Sequence, residues 1–178
     1  MSDKPKHTEN HLDPDVAKWF AVYTRYKSEK AAFKQLEKKG ITTYLPLQTF
    51  TRQYTRKVKK VELPLITCYV FVKITKAQYV PVLETEPVVD FVRFSNNLIS
   101  IPDEEIELLK RVLGESWEVT ASPTQLERGD RVELIAGNLT GLQGTLIDAR
   151  DKQQVVIDLE RMGYSLRISV DKNLLRKV

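Results

Sequence analysis

The sequence is short of the residues on which most catalytic and metal sites depend. Its 178 residues include one cysteine and two histidines. A single cysteine excludes an internal disulfide and any site with several thiolate ligands. Both histidines, His7 and His11, lie in a polar leader, residues 1–17, that we expect to be disordered. A Ser-His or Cys-His catalytic pair, or a zinc site, would need a histidine from that leader. We therefore predict no enzyme activity, no cofactor and no metal.

The sequence also lacks a long hydrophobic run. No apolar stretch approaches the roughly 20 residues that span a bilayer, and the first residues lack the apolar core of a signal peptide. The composition, 42% hydrophobic and 29% charged, is ordinary for a soluble globular protein. We therefore expect a cytoplasmic protein that does not contact a membrane.

Glycine is scarce in the first part of the chain and concentrated near its end. Five of the seven glycines fall within residues 126–178, between short runs of alternating apolar residues. Short strands joined by glycine-containing turns are typical of small barrels. Residues 126–178 are therefore predicted to form a small five-stranded β-barrel, and their valine and isoleucine content favours strands over helices. Residues 115–125 contain Pro123 and show no sustained period, which predicts a linker.

The first part, residues 18–114, carries a different pattern. Apolar and aromatic runs predict strands at 18–24, 41–46, 65–74 and 88–94, and helical periodicity with end signals predicts helices at 28–39 and 102–113, with a weaker helix at 75–85. This order predicts an α+β domain with an antiparallel sheet and flanking helices. Its charge is +5, from 19 basic and 14 acidic residues, whereas the remainder of the chain carries −1, from 9 and 10. The two parts are thus expected to have different partners.

The apolar run at 65–74 is the predicted central strand. Because strand side chains alternate, Tyr69 and Phe71 lie on one face, and Val70 and Val72 lie on the other. One interpretation is a core strand buried on both faces. The other is that the aromatic face lines a shallow docking surface for a partner.

A run of cations separates two of the predicted strands. Phe50 and Tyr54 are interleaved with five basic residues that no acid relieves before Glu62. The five are Arg52, Arg56, Lys57, Lys59 and Lys60. The run is either a solvated hairpin or a surface that contacts phosphates, with the aromatic rings stacking on bases.

Two groups of residues resemble a known family. Residues 129–146 look like a KOW motif, with Gly129 before one strand and Gly141-x-x-Gly144 before the next. The front half follows the order of a NusG N-terminal domain, in the segments Trp19-Phe20-Ala21-Val22-Tyr23, 28–39, Tyr44-Leu45-Pro46, 64–72 and 88–94. The chain therefore resembles the NusG family, and residues 63–71 and 91–94 make it similar to the specialised RfaH and UpxY type.

The resemblance implies a monomeric transcription elongation or antitermination factor without catalytic activity. In that family the N-terminal domain docks on the clamp helices of the largest subunit of RNA polymerase, which would assign this contact to Tyr23, Tyr69, Phe71 and Phe94. Non-template DNA would meet Arg25, Lys27 and Lys30 as well as the basic run. The KOW domain would recruit a small-subunit ribosomal protein or Rho through Leu139, Arg161 and Met162. The alternative is an RNA- or ribosome-associated KOW binding protein.

Overall fold

The computed structural model describes residues 8–114, 117–125, 128–149 and 152–178. The parts of the predicted leader, linker and barrel at 1–7, 115–116, 126–127 and 150–151 lie outside these residues. Within the described chain the helices are α1 (Glu29–Lys38), α2 (Tyr79–Leu83) and α3 (Asp103–Leu113). The strands are β1 (Lys18–Thr24), β2 (Thr42–Tyr44), β3 (Leu47–Tyr54), β4 (Lys57–Pro64), β5 (Tyr69–Ile74), β6 (Val88–Phe91), β7 (Val119–Pro123), β8 (Asp130–Leu134), β9 (Gln143–Ala149), β10 (Lys152–Leu159), β11 (Tyr164–Val170) and β12 (Leu175–Lys177). This set of helices and strands confirms the predicted α+β class.

The chain divides into two compact units. The first contains the residues up to Leu45 together with Thr67–Asp103, and the second contains Pro46–Ile66 and Glu104–Val178. The hairpin of β3 and β4 and helix α3 thus group with the C-terminal sheet. This grouping differs from the predicted bounds of 18–114 and 126–178, which follow the order of the chain.

The first unit is built on a four-stranded antiparallel sheet in the order β2-β5-β1-β6. Strand β5 is central, and the predicted alternation holds, since Val70 and Val72 are fully buried beside Val22 and Phe20 of β1. Residues that pair directly across antiparallel strands share a face. Tyr69 pairs with Tyr23 in this register, so both tyrosines lie on the opposite, aromatic face.

The helices of this part follow their sequence signals closely. Helix α1 begins after Ser28 and buries Ala32 and Leu36 on one face. Helix α2 is only five residues long and follows a turn of 3₁₀ helix at Lys76–Gln78. Pro81 is the third residue of α2, and the N–H groups of the first four residues of a helix have no partner within it. The proline therefore does not interrupt the helix.

The start of the described chain is hydrogen-bonded, contrary to the expectation of a disordered leader. The Leu98 N–H donates to the Glu9 carbonyl at 2.9 Å, and the His11 N–H donates to the Leu98 carbonyl at 2.9 Å. The His11 ring also contacts Ser100, with Nδ1 2.9 Å from Oγ. The expectation is wrong for these residues because the 95–101 loop offers backbone partners that lie far from them in sequence.

The C-terminal sheet has six strands, in the order β12-β8-β9-β10-β11-β7. This is one strand more than predicted, because β7 comes from the predicted linker and pairs antiparallel with β11. Val119 of β7 is 2% exposed. Pro123 is tolerated because β7 is an edge strand, where a residue without an N–H breaks no pairing on the outer side.

The glycines of the Gly-x-x-Gly motif are explained by this sheet. Gly141 has φ of +88°, a conformation that side chains with a Cβ rarely adopt. A Cβ on Gly144 would lie 2.6 Å from both Val155 Cγ1 and the Val156 carbonyl oxygen. Gly141 therefore permits the tight turn before β9, and Gly144 permits the close approach of the β9 backbone to β10.

Candidate functional site

An exposed pair of tyrosines is the most distinctive surface of the first unit. The rings of Tyr23 and Tyr69 meet edge to face, with centroids 5.0 Å apart and planes at 73°. The Tyr69 hydroxyl donates to the Tyr23 hydroxyl at 3.1 Å. Tyr23 is 39% exposed, and Tyr69 is half-buried. An aromatic pair with its polar ends in water is the kind of surface that anchors protein interfaces.

Phe71 does not share this exposure. It lies on the same face as Tyr69, two residues further along β5, but only 1% of it is exposed. Its ring stacks on Tyr44 of β2, with centroids 6.4 Å apart and planes at 28°. The expectation that Phe71 lines an open depression is therefore wrong, because an aromatic residue of the neighbouring strand covers it. Phe71 supports the face from within.

The backbone that leads into Tyr69 is held by a buried carboxylate. Glu29, in the first turn of α1, is 4% exposed, and its Oε1 accepts the Cys68 N–H at 2.8 Å. Cys68 has φ of +64°, and its carbonyl accepts the Thr24 N–H at 2.9 Å. Burial, and secondarily the Glu29 carboxylate, raise the pKa of the Cys68 thiol, which makes it a poor nucleophile. The sequence did not reveal that Glu29 accepts the Cys68 N–H, because an acidic residue in the first turn of a helix is already expected from its favourable interaction with the helix dipole.

Phe94 lies apart from the tyrosine pair in the register of the sheet. It follows β6 and forms an isolated antiparallel bridge with Asn97 around a turn in which Ser95 and Asn96 have positive φ. Phe94 is half-buried. The predicted set of four aromatic residues thus separates into an exposed pair, a buried ring and a residue of a turn.

The three cations near the first helix are exposed. Arg25 is engaged with Glu86, donating from Nη2 to its carbonyl oxygen at 3.0 Å, with Nη1 3.7 Å from the Glu86 carboxylate. Lys27 has φ of +59°, and its Nζ lies 5.3 Å from the centre of the Tyr26 ring. Lys30 is on the exposed side of α1. All three residues lie around the turn from β1 to α1.

The predicted basic hairpin is formed by β3 and β4, which pair over their full length. Every residue from Thr49 to Lys60 is exposed. Arg52 pairs directly with Lys59, and Tyr54 pairs with Lys57. Lys60 pairs with Thr51 and so lies on the opposite face, whereas Arg56 lies in the turn. The five predicted cations therefore do not share one surface.

Two of the three residues predicted for the KOW partner are in the core. Leu139 is fully buried, and Met162 is 3% exposed. Leu139 ends a turn of 3₁₀ helix at Gly137–Leu139 that directs its side chain inward, so the expectation that both residues form a contact surface is wrong. Arg161 is exposed. Its N–H donates to Glu105 Oε1 at 3.0 Å, and burial raises the pKa of the Glu105 carboxyl although the N–H groups of Arg161 and Met162 oppose the shift.

Metal-binding clusters and membrane-spanning helices are absent from the part of the chain that is described. No group of three or more histidine, cysteine, aspartate or glutamate residues there is arranged to hold a metal ion. None of the helices there is long and apolar enough to cross a membrane.

The fold is that of a two-part α+β protein with exposed aromatic and basic residues on its surfaces. The family model described as "Transcription termination factor nusG" matches residues 17–110, more than half of the chain. The chain therefore belongs to the NusG family, a family of non-enzymatic transcription factors. Comparison with curated proteins gives no match.

A solved structure agrees with this assignment at the level of the fold. The structure described as "Domain interaction in Thermotoga maritima NusG" has a TM-score of 0.57 and 20% identity, and the match covers 91% of this chain and 97% of that one. Two conformations of an MjSpt4:Spt5 complex match with TM-scores of 0.32 and 0.31 at 21% and 22% identity, each covering 90% of this chain and 97% and 96% of those chains. The latter scores are too low to carry an argument.

Proposed function

We propose that this protein is a specialised elongation and antitermination factor of the RfaH and UpxY type, acting in the cytoplasm on RNA polymerase. The observation that carries the proposal is the partly exposed Tyr23–Tyr69 pair on the aromatic face of the family domain. In the family, this face docks on the clamp helices of the largest polymerase subunit. Strand pairing and the Glu29–Cys68 hydrogen bond fix the backbone that carries both tyrosines, and the rings contact each other, which favours preorganisation for binding.

The mechanism is one of differential affinity. A factor that binds the closed clamp more tightly than the open clamp shifts the population of polymerase away from paused states. This requires no chemistry from the factor. It does require that the factor remain bound during elongation, which the aromatic anchors and additional nucleic-acid contacts from Arg25, Lys27 and Lys30 would support.

The polymerase contact is tested by replacing both tyrosines with alanine in the full chain. Tyr23→Ala with Tyr69→Ala is expected to weaken binding to purified RNA polymerase at least tenfold, since interface aromatics commonly contribute about 2 kcal/mol or more. Tyr26→Ala is the matched control, because Tyr26 is 70% exposed and lies outside the pair. Equal affinity of the double variant and the control, with both folded, would remove the docking proposal.

We propose that the C-terminal sheet recruits a protein, either a small-subunit ribosomal protein or Rho. Residues from Glu115 onward carry a net charge of −1, which favours a protein partner over nucleic acid. Because Leu139 and Met162 are in the core, we assign the contact to exposed residues such as Arg161 and Ile135. Ile135 is 45% exposed. Calorimetric titration of the Arg161→Glu variant against each purified partner tests this role. An affinity equal to that of the unchanged protein would exclude Arg161 from the contact.

A second candidate function is binding to structured RNA or to the ribosome. The observation that favours it is the exposed basic hairpin, which carries five cations and one acid across Leu47–Pro64. It predicts that structured RNA binds the full chain tightly and that RNA polymerase does not. If the protein co-sediments with RNA polymerase at a moderate salt concentration that abolishes its binding to RNA, the second candidate function is excluded.

A further inference from the structure

The register of the first sheet places an acidic residue beside the tyrosine pair. Asp90 of β6 pairs directly with Tyr23 of β1, and Tyr23 pairs in turn with Tyr69 of β5. Residues that pair directly across antiparallel strands share a face, with Cβ atoms about 4.5–5.5 Å apart. The two tyrosines and the acid therefore form a row across three adjacent strands, which we call the tyrosine–acid row.

The tyrosine–acid row is accessible to a partner. The side chain of Asp90 is 55% exposed. Strand β6 is an edge strand, so the sheet ends beside this acid. The register of β1 and β6 shifts between Tyr23 and Thr24, immediately after the row. Irregularities of this kind redirect side chains and are frequent beside functional sites.

Within the described chain the carboxylate of Asp90 is lightly engaged. Its Oδ1 accepts the N–H of Phe91 at 2.7 Å and lies 3.9 Å from Nη2 of Arg93. The same Arg93 nitrogen donates to the Tyr79 hydroxyl at 2.8 Å, a shorter contact than the one with the acid. Both contacts of the carboxylate involve Oδ1, so Oδ2 is available to a ligand from outside the chain.

A cation on the same face is neutralised within the chain. Lys73 pairs with Trp19 in the register, so it lies on the aromatic face. Its Nζ is 3.3 Å from Asp103 Oδ1 and 5.9 Å from the centre of the Trp19 ring. Lys73 and Asp90 are the charged residues that pairing assigns to this face in β1, β2, β5 and β6. The closer internal ion pair belongs to Lys73, which leaves the negative charge of Asp90 for a partner.

We propose that the tyrosine–acid row binds a cationic side chain of the polymerase clamp helices, with arginine as the best fit. A guanidinium can stack on a tyrosine ring while its N–H groups pair with a carboxylate, and the ring and the acid are direct neighbours here. Asp90 specifies the charge, and the rings supply contact area. The inference rests on the proposed function and adds the chemistry that the partner must present.

A role for Asp90 in folding alone predicts different behaviour from a contact role. Charged side chains on edge strands discourage pairing with other chains, and lysine does this as well as aspartate. Asp90→Lys therefore keeps the protection of the edge but reverses the charge offered to a partner. Asp90→Asn keeps an Oδ1 acceptor for the Phe91 N–H and removes only the charge. Asp90→Glu keeps the charge.

Affinity of the full-length variants for purified RNA polymerase tests the contact. Asp90→Asn is expected to weaken binding about two- to fivefold, the usual effect of a partly exposed ion pair. Asp90→Lys is expected to weaken it about tenfold or more, because repulsion replaces attraction, and Asp90→Glu is expected to bind as the unchanged protein does. Glu84→Lys is the matched control. Glu84 is the exposed C-cap of α2, and Tyr79 of that helix stacks on Phe91, whose side chain lies on the opposite face from Asp90.

Salt dependence separates the charge of the row from its rings. Added salt screens exposed charges, so the difference in affinity between the unchanged protein and Asp90→Lys is expected to shrink as salt is raised. The loss in the Tyr23→Ala with Tyr69→Ala variant is expected to persist at high salt, because that variant lacks contact area rather than charge.

The results expected for Asp90→Lys, Asp90→Glu and Glu84→Lys together support the proposal. Equal affinities of Asp90→Lys and Glu84→Lys would overturn it, and so would a loss in Asp90→Lys that added salt does not reduce. If the double tyrosine variant loses affinity and the Asp90 variants do not, this inference fails and the proposed function stands. If neither change alters the affinity for polymerase, or if the unchanged protein does not bind polymerase, both fail.

Discussion

Replacing Phe71 with alanine separates a supporting role from a contact role on the aromatic face. Phe71 is 1% exposed and stacks on Tyr44, so truncation leaves a cavity in the first unit. Substitutions of buried phenylalanine by alanine cost about 3–5 kcal/mol of the free energy of unfolding. Tyr23→Ala removes a partly exposed ring and its edge-to-face partner, for which a loss of about 1 kcal/mol is expected.

Urea unfolding measures both losses if the signal reports on the first unit alone. The chain has two tryptophans, and Trp19 is 6% exposed in β1 of that unit. In a Trp117→Phe reference protein, fluorescence therefore follows Trp19. With a slope of about 2 kcal/mol per molar urea, Phe71→Ala is expected to lower the midpoint by roughly 2 M and Tyr23→Ala by roughly 0.5 M.

The result that would refute this reasoning is a Phe71→Ala midpoint within about 0.5 M of the reference, on the same slope scale. Such a result would mean that Phe71 is not packed as described and is available for contact. A folded Phe71→Ala protein with weakened polymerase binding would then return Phe71 to the docking surface. A large loss of stability would instead explain any loss of binding as a consequence of unfolding.

Three other substitutions test the packing around the candidate surfaces. Glu29→Ala leaves the Cys68 N–H without its acceptor and is expected to cost about 1–3 kcal/mol in urea unfolding, whereas Glu37→Ala on the exposed side of the same helix is expected to change little. The pKa of Glu105 is raised in the folded state, so the native protein binds more protons than the unfolded chain does. The contribution of Glu105 to stability therefore falls as the pH rises from about 4.5 through the folded pKa. Glu105→Gln is expected to flatten that decline, and identical pH profiles would contradict it. Gly144→Ala places a Cβ 2.6 Å from two atoms of β10 and is expected to lower the thermal midpoint of the C-terminal sheet, as measured by circular dichroism.

Local patterns predicted the order of elements and the direction of side chains. The alternation of residues 69–74 follows from the geometry of any strand, and helix α1 carries its own start and end signals. The strand character of the C-terminal part follows from its composition. These features depend on neighbours in sequence, which is why they could be inferred before the structure.

Exposure could not be inferred in the same way, because it depends on residues that are distant in sequence. Phe71 is 1% exposed although Tyr69 on the same face is half-buried, and its stacking partner Tyr44 belongs to a different strand. The predicted linker becomes β7 because β11, more than forty residues later, offers it a partner. Leu139 lies in a turn, where an apolar side chain is expected at the surface, yet the turn directs it into the sheet.

The β3–β4 hairpin shows the same dependence on residues that are distant in sequence. Its register is set by the pairing around the Thr55–Arg56 turn, and both faces between Thr49 and Lys60 are exposed, so burial does not select which face receives the rings. Phe50 is opposite Val61, and such an aromatic and β-branched pair stabilises the hairpin, whereas placing Arg52 opposite Lys59 opposes folding. The like-charged pair on this solvated face therefore makes an unfavourable contribution to the hairpin itself. Which side chains oppose each other depends on the register of the two strands, so the order of residues alone could not show that cost.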